Sequence, residues 1–304
     1  MSAFTTLTRA KARRRRGSAP WMLLLPIIVL VAIFMFYPVA SVLVTSFFHQ
    51  NISTPWANGF AGLENYRVMF FEDPNFWPSL AFTARWVVVQ VVLQLVVGLV
   101  LALIVNERFR GRGLARALVF SPWAISGVLT TSIWLLMYSP TSGIIRLLEP
   151  LGIDGSGFAP LIGPESAFWA ASIAELWRGI PFFAILLLAE LQSVPKELYE
   201  AASVDGAGRI RRFWHVTLPH LRNVIVLSTL LRGVWEFNNV DLLYTLTNGG
   251  PGTSTTTLPL YVAQQATIAG DFGYGSALTT VTFIILLFFS ILYLQLNRVS
   301  RGKD

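Results

Sequence analysis

The stretch SLAFTARWVVVQVVLQLVVGLVLALIVN, residues 79–106, decides the fold. After Arg85 it contains no Asp, Glu, Lys or Arg. A run of this length is what a helix needs to cross a hydrocarbon layer of ~30 Å at ~1.5 Å per residue. Lipid cannot satisfy free backbone groups, and no strand-type alternation is present, so the run predicts a transmembrane helix.

Working outward, five more stretches read the same way: 21–48, 114–138, 167–193, 220–244 and 273–297. Pro26, Pro38 and Pro181 fall inside them, as neighbouring helices in a membrane bundle allow. The whole composition agrees. Over the 304 residues 54% are apolar and only 13% charged, against about 25% charged in soluble domains. Arg13 to Arg16 followed by apolar residues resembles a signal peptide. The run from Trp21 to Phe48 is longer than the ~7–15 residues of such a segment, so an uncleaved first span is expected. The expected division is a basic tail at 1–20, a six-helix domain at 21–297 and a short tail at 298–304.

The net charge of +7 does not call for nucleic acid, because basic residues gather just outside apolar runs. The N-terminal tail carries Arg9, Lys11 and Arg13 to Arg16, and the second inter-helix loop Arg108, Arg110, Arg112 and Arg116. The fourth loop carries Lys196, Arg209, Arg211, Arg212 and Arg222, and the C-terminal tail Arg298, Arg301 and Lys303. The other three loops hold only Arg67 and Arg146. This alternation places both termini in the cytoplasm. There is no cysteine, which removes thiol chemistry and disulfides. His49, His215 and His220 lack metal-ligand spacing, and no nucleophile–base constellation stands out.

The outward loops differ in character. Residues 49–78 are aromatic, with Trp56, Phe60, Tyr66, Phe70, Phe71, Phe76 and Trp77, suiting either an interfacial belt or a docking surface. The third loop offers a short interfacial helix around Ile144, Ile145, Leu147 and Leu148. The fifth loop, Asn248-Gly249-Gly250-Pro251-Gly252, must turn sharply.

The fourth loop, 194–219, carries the most information. Pro195 suits a first helical position and Glu197 and Glu200 a helix N-terminus. Gly206 and Gly208 break the chain. A second helical turn then sets Ile210, Phe213 and Trp214 on one face, and Pro219 opens the next span. The expectation is two short helices joined at glycine, with an apolar patch. A lipid-hugging segment is the rival reading, but Glu197, Glu200 and Asp205 would then face anionic lipid.

Glu200-Ala201-Ala202, Gly206, Val216 and Leu218-Pro219 at this spacing resemble the EAA motif of ABC importer permeases, with valine at 216 where the family has isoleucine. Residues 62–66, 122–126, 175–179 and 246–252 resemble the MalF-like, binding-protein-dependent carbohydrate branch. The resemblance implies an all-α type I importer permease with a MetI-like core, in a bacterial or archaeal plasma membrane. It implies that Glu200, Ala201, Ala202, Asp205, Gly206, Phe213, Leu218 and Pro219 form a coupling loop seated on a cytoplasmic ATPase dimer that binds ATP and Mg. It also implies a second, similar permease and an extracytoplasmic solute-binding protein. Independently, the chain lacks a Gly-x-x-x-x-Gly-Lys-[Ser/Thr] phosphate loop, so no cofactor and no enzymatic activity are expected of it.

Polar groups within a span are costly and face a cavity or a partner. The fifth span holds Arg232, Trp235, Glu236, Asn238, Asn239 and Asp241. Glu236, Asn239 and Arg232 share a broad face, and Asp241 points elsewhere. Carboxylates and amides bind hydroxyls and a ring covers the apolar face of a pyranose. Trp235, Glu236, Asn238 and Asn239 are therefore candidate solute contacts. The rival is an Arg232–Glu236 pair at i, i+4. Glu175 and Arg178, at i, i+3, read as a salt bridge, and Arg85 as a snorkelling side chain. A polyol or glycerol-phosphate solute is an alternative to a sugar, though a phosphate would need several pore arginines. A stand-alone secondary transporter is the remote alternative, and it lacks the expected internal repeats.

Overall fold

The computed structural model describes residues 19–144, 146 and 157–301. The basic tail through Ser18, Ile145, Leu147 and Leu148 of the expected interfacial helix, and Lys303 lie outside the described residues.

Helices follow in the expected order. The first span comprises α1 (Ala19–Val31), a π-helical turn (Ala32–Phe36) and α2 (Tyr37–Thr45). Pro38 explains the π-turn. It has no N–H to offer the carbonyl four residues back, and the helix widens so that Tyr37 N–H bonds Ala32 instead. After two short antiparallel strands, Phe48–His49 and Gly59–Phe60, with Phe48 opposite Phe60, come α3 (Glu64–Phe71) and α4 (Phe76–Asn106), the second span.

The third span is not the single helix expected over 114–138. α5 (Arg112–Phe120) and α6 (Gly127–Met137) meet at 100°. Pro122 ends α5 in a 3-10 turn over Ser121–Ala124, and the Ser126 hydroxyl caps α6 by accepting from Leu129 N–H. Arg116 binds the Val105 carbonyl through Nε and Nη2 at 3.2 and 3.1 Å. α5 thus lies across the end of the second span and satisfies its orphan carbonyl.

The fourth span is α7 (Pro164–Ser193). The loop follows as α8 (Lys196–Val204) and α9 (Arg209–Arg212), then a second π-turn (Phe213–Thr217) and α10 (Leu218–Phe237), the fifth span. Two details differ from expectation. Pro195 caps α8 rather than opening it. Pro219 does not start a span, because the helix is unbroken from Arg209 and widens ahead of the proline as it does before Pro38. The fifth span also stops at Phe237, not 244. There Asn238 donates its side-chain amide to the Val234 carbonyl at 2.9 Å, competing with the backbone ladder. α11 (Asp241–Leu246), α12 (Leu258–Thr267) and α13 (Phe272–Arg301), the sixth span, complete the chain.

Among the described residues, four helices are long and apolar enough to cross a membrane alone, and the bent α5–α6 pair would be a fifth. α10, ~30 Å long at ~1.5 Å per residue, is long enough but carries Arg222, Arg232 and Glu236. The fourth span is the most buried of the four and the first the least. One apolar cluster joins Trp86, Phe168, Ala171 and Leu243, and another Ala102, Phe183, Leu187 and Leu221. Spans two and four approach closely at Gly98, where a Cβ would overlap Phe183.

At the end opposite the 194–219 loop, Asp73 accepts hydrogen bonds from the hydroxyls of Tyr261, at 2.8 Å, and Tyr274. Burial and this carboxylate push the Tyr261 phenol up to about 12. The aromatic loop divides. Phe76 is core, whereas Trp56, Phe60 and Phe71 are exposed. Arg85 does more than snorkel. It pairs with Glu165 through both terminal nitrogens and lies 3.9 Å from the Phe168 ring centroid.

Candidate functional site

Three spans meet in a polar knot inside the apolar bundle. The second contributes Gln90 and Gln94, one turn apart. The fourth contributes Glu175 and Arg178, and the fifth Arg232, Trp235, Glu236 and Asn239. Gln90, Gln94, Glu175, Arg232 and Glu236 are all buried. Low surrounding dielectric makes satisfied polar groups there strong and unsatisfied ones costly.

The Arg232 guanidinium organises the knot. Its Nη2 lies 2.8 Å from Glu175 Oε1 and 2.6 Å from Glu236 Oε1, and its Nε donates to Gln94 Oε1 at 2.6 Å. Arg178 pairs with the other Glu175 oxygen at 2.8 Å. The expected Glu175–Arg178 pair is thus made, and so is the rival Arg232–Glu236 pair, and Arg232 joins them into one network across two spans. Gln94 Nε2 donates to Glu236 Oε1 at 2.8 Å and to Gln90 Oε1 at 3.1 Å. Gln90 Nε2 reaches the Ser172 carbonyl at 3.3 Å. Gly179 makes room for this packing, since a Cβ there would overlap the Gln94 amide and the Arg232 guanidinium.

Glu175, Arg178, Arg232, Trp235, Glu236 and Asn239 line a recess of about 230 Å³. Glu236 Oε2 is buried with no hydrogen-bond partner. Trp235 packs 5.1 Å from Phe182, ring to ring, and is exposed. Of the four candidate solute contacts, Trp235, Glu236 and Asn239 line the recess. Asn238 does not, because its side chain is exposed and bonded to its own helix. Sequence reasoning missed Gln90 and Gln94. Two glutamines at i, i+4 in an otherwise apolar run were the available signal. A larger groove of about 510 Å³ between spans two, five and six is walled almost wholly by apolar side chains such as Val88, Val91, Leu230 and Phe289, so it offers little to a hydroxylated solute.

The 194–219 loop breaks at glycine as expected, but only α8 is a separate short helix, because α9 runs through the π-turn into α10. α8 ends in a Schellman motif. Ala207 N–H bonds the Ala202 carbonyl at 2.9 Å and Gly206 N–H the Ser203 carbonyl at 3.1 Å, with Gly206 at φ +74°. Arg212 Nη1 donates to Ser203 Oγ at 3.0 Å, and the Tyr199 and Thr217 hydroxyls meet at 3.0 Å, folding the loop back on the root of α10. Glu200, Ala201, Asp205, Gly206 and Pro219 are exposed, while Ala202, Phe213 and Leu218 are half-buried. Leu198, Val204, Ile210 and Trp214 add exposed apolar surface.

The comparisons agree with this architecture. A family model described as the binding-protein-dependent transport system inner membrane component matches residues 94–301. The chain is 37% identical over 294 residues to the trehalose/maltose transport system permease protein MalF of Thermococcus litoralis, covering 96% of this chain and 98% of that one. It is 37% identical over 284 residues to the sulfoquinovosyl glycerol transport system permease protein SmoG of Agrobacterium fabrum, covering 93% and 90%. It is 31% identical to the trehalose transport system permease protein SugA of Mycobacterium tuberculosis, covering 97% and 94%. A chain of a bacterial alginate ABC transporter, solved with an alginate pentasaccharide-bound periplasmic protein, shares the fold at a TM-score of 0.77 and 21% identity, covering 93% and 95%. Permeases of this family are membrane transport components, not enzymes, and have no cofactor of their own. The chain belongs to the family of binding-protein-dependent transport system inner membrane components.

Proposed function

We propose that the chain is one of two pore-forming subunits of an ATP-driven importer for an uncharged saccharide. The observation that carries this reading is the central recess. Its wall combines Glu236, whose buried Oε2 accepts no hydrogen bond, with Asn239 and Trp235. Acceptors and donors suit sugar hydroxyls, and an indole face suits the C–H face of a pyranose. Two arginines are balanced by two glutamates around the recess, which favours a neutral solute over a phosphorylated one. Its size is below the ~300–1,000 Å³ of sites that enclose a drug-sized ligand, so it takes one ring of an oligosaccharide at a time. The names of two relatives, a trehalose/maltose and a trehalose permease, support a neutral sugar, whereas the third is named for sulfoquinovosyl glycerol, whose sulfonate is anionic.

The loop at 194–219, with Glu200 through Gly206 outward, docks on a cytoplasmic ATPase pair that binds ATP and Mg. Its closure drives alternating access. A second, similar permease completes the pore, an extracytoplasmic protein delivers the solute, and the basic tails at 1–20 and 298–304 lie in the cytoplasm.

Reconstitution of the complete complex in proteoliposomes tests this. ATP-dependent uptake of trehalose or maltose is expected, without uptake of glycerol 3-phosphate. Asn239→Ala lowers uptake while leaving solute-stimulated ATP hydrolysis in place, and unchanged transport kinetics reject the solute role. Gly206→Pro leaves the complex assembled and abolishes stimulation, and normal stimulation in that variant rejects the coupling role. Labelling that found residues 196–218 outside the bilayer would reverse the orientation.

A further inference from the structure

Gln94 lies behind the recess, on a different span from the residues beside which Glu236 is offered to solute. Its amide has a fixed direction. Arginine only donates and a carboxylate only accepts, so Oε1 must face Arg232 Nε, at 2.6 Å, and Nε2 must face Glu236 Oε1, at 2.8 Å. The second Nε2 hydrogen goes to Gln90 Oε1, and Gln90 in turn anchors on the Ser172 carbonyl. Both Gln94 donors are therefore used, and its amide holds both members of the Arg232–Glu236 pair. Glu236 Oε1 is contacted twice, by Gln94 Nε2 and by Arg232 Nη2, while Oε2 is buried and accepts no hydrogen bond.

We propose that Gln94 is the positioning residue of the solute site. It binds no solute itself, and it fixes the Glu236 carboxylate so that one oxygen is locked in the inter-span network and the other is held for a solute hydroxyl. The inference rests on the saccharide reading of the recess. It adds a specificity device. Discrimination for one sugar hydroxyl depends on an amide that never meets the sugar, because a site built around a hydroxyl rejects the analogue lacking it only while the acceptor is held in place. The slot over Gly179 that admits the amide is part of the same device.

The test uses the complete complex in proteoliposomes with trehalose and maltose as probes, and with the monodeoxy analogues of whichever is transported as competitors. One analogue is expected to compete at least about tenfold less well than its parent, as for a lost hydrogen bond to a charged group. Glu236→Ala removes that difference. Gln94→Leu and Gln94→Glu are expected to raise KM about tenfold and to shrink the same analogue's difference to under about twofold, with maximal velocity changing less than KM. Gln94→Glu keeps an acceptor for Arg232 and loses the donor to Glu236, so it reports on Glu236 even where the leucine variant fails to assemble. If Glu236→Ala erases the discrimination and either Gln94 variant retains it, the positioning role is overturned and the site stands. If Glu236→Ala leaves discrimination intact, or neither sugar is carried, the site reading itself is overturned.

Discussion

Gly206→Ala is the most direct test of the loop. Gly206 occupies the left-handed position that closes α8, at φ +74°. A Cβ built there meets nothing within 4 Å, so the substitution has no steric consequence in the surroundings. Its cost is backbone conformation alone, about 1–2 kcal/mol for an L-residue held in this region, or roughly a 5- to 30-fold change in the closed-to-open ratio. The reporters are the amides of Gly206 and Ala207, which bond the Ser203 and Ala202 carbonyls only while the motif is formed. In hydrogen exchange on the complex these two amides should exchange roughly 5- to 30-fold faster in Gly206→Ala. Gly206→Asn, whose side chain tolerates this region, should fall between. The helical amides of α10 should not move. Equal exchange in the wild type and the alanine variant, or alanine and asparagine behaving alike, refutes the reasoning.

Three other outcomes are expected. Gly179→Ala drives a methyl into the Gln94 amide and Arg232, and should destabilise the protein by about 1–3 kcal/mol, read as a lower melting temperature in detergent. Trp235→Ala should raise KM roughly 2- to 12-fold, the worth of an aromatic contact, with maximal velocity retained in uptake assays. The Tyr261 phenol, raised by burial and by Asp73, contributes stability that is complete below its ordinary value near ~10 and is lost as pH rises through about 12. Melting temperature should therefore fall across that alkaline window more steeply in the wild type than in Tyr261→Phe.

Much of this was readable from residues alone, for identifiable reasons. The long apolar runs announce helices because lipid leaves the backbone no alternative, and α4 and α7 start and end within a few residues of the expected limits. The glycine break of the loop was legible because a left-handed cap has few residue solutions. What was not legible depended on partners distant in sequence. Arg116 reads as one more basic residue beside a span, and only the approach of Val105 makes α5 an elbow rather than the start of a crossing helix. Asn238 and Asn239 look equivalent in sequence. The helix ends between them and the recess, sending one amide back to Val234 and the other to the cavity wall. Gln90 and Gln94 were invisible as a site because their partners sit about 80 and 140 residues away, where no periodicity points.

The unbroken helix from Arg209 to Phe237 has a mechanical consequence. One end is the second arm of the exposed loop and the other, roughly 40 Å away at ~1.5 Å per residue, holds Arg232 and Glu236. The two are parts of one shaft, so a rotation applied at the loop arrives at the Glu236 carboxylate along a single continuous helix. The widened turn before Pro219 lies between those two ends and keeps the helix continuous across the proline.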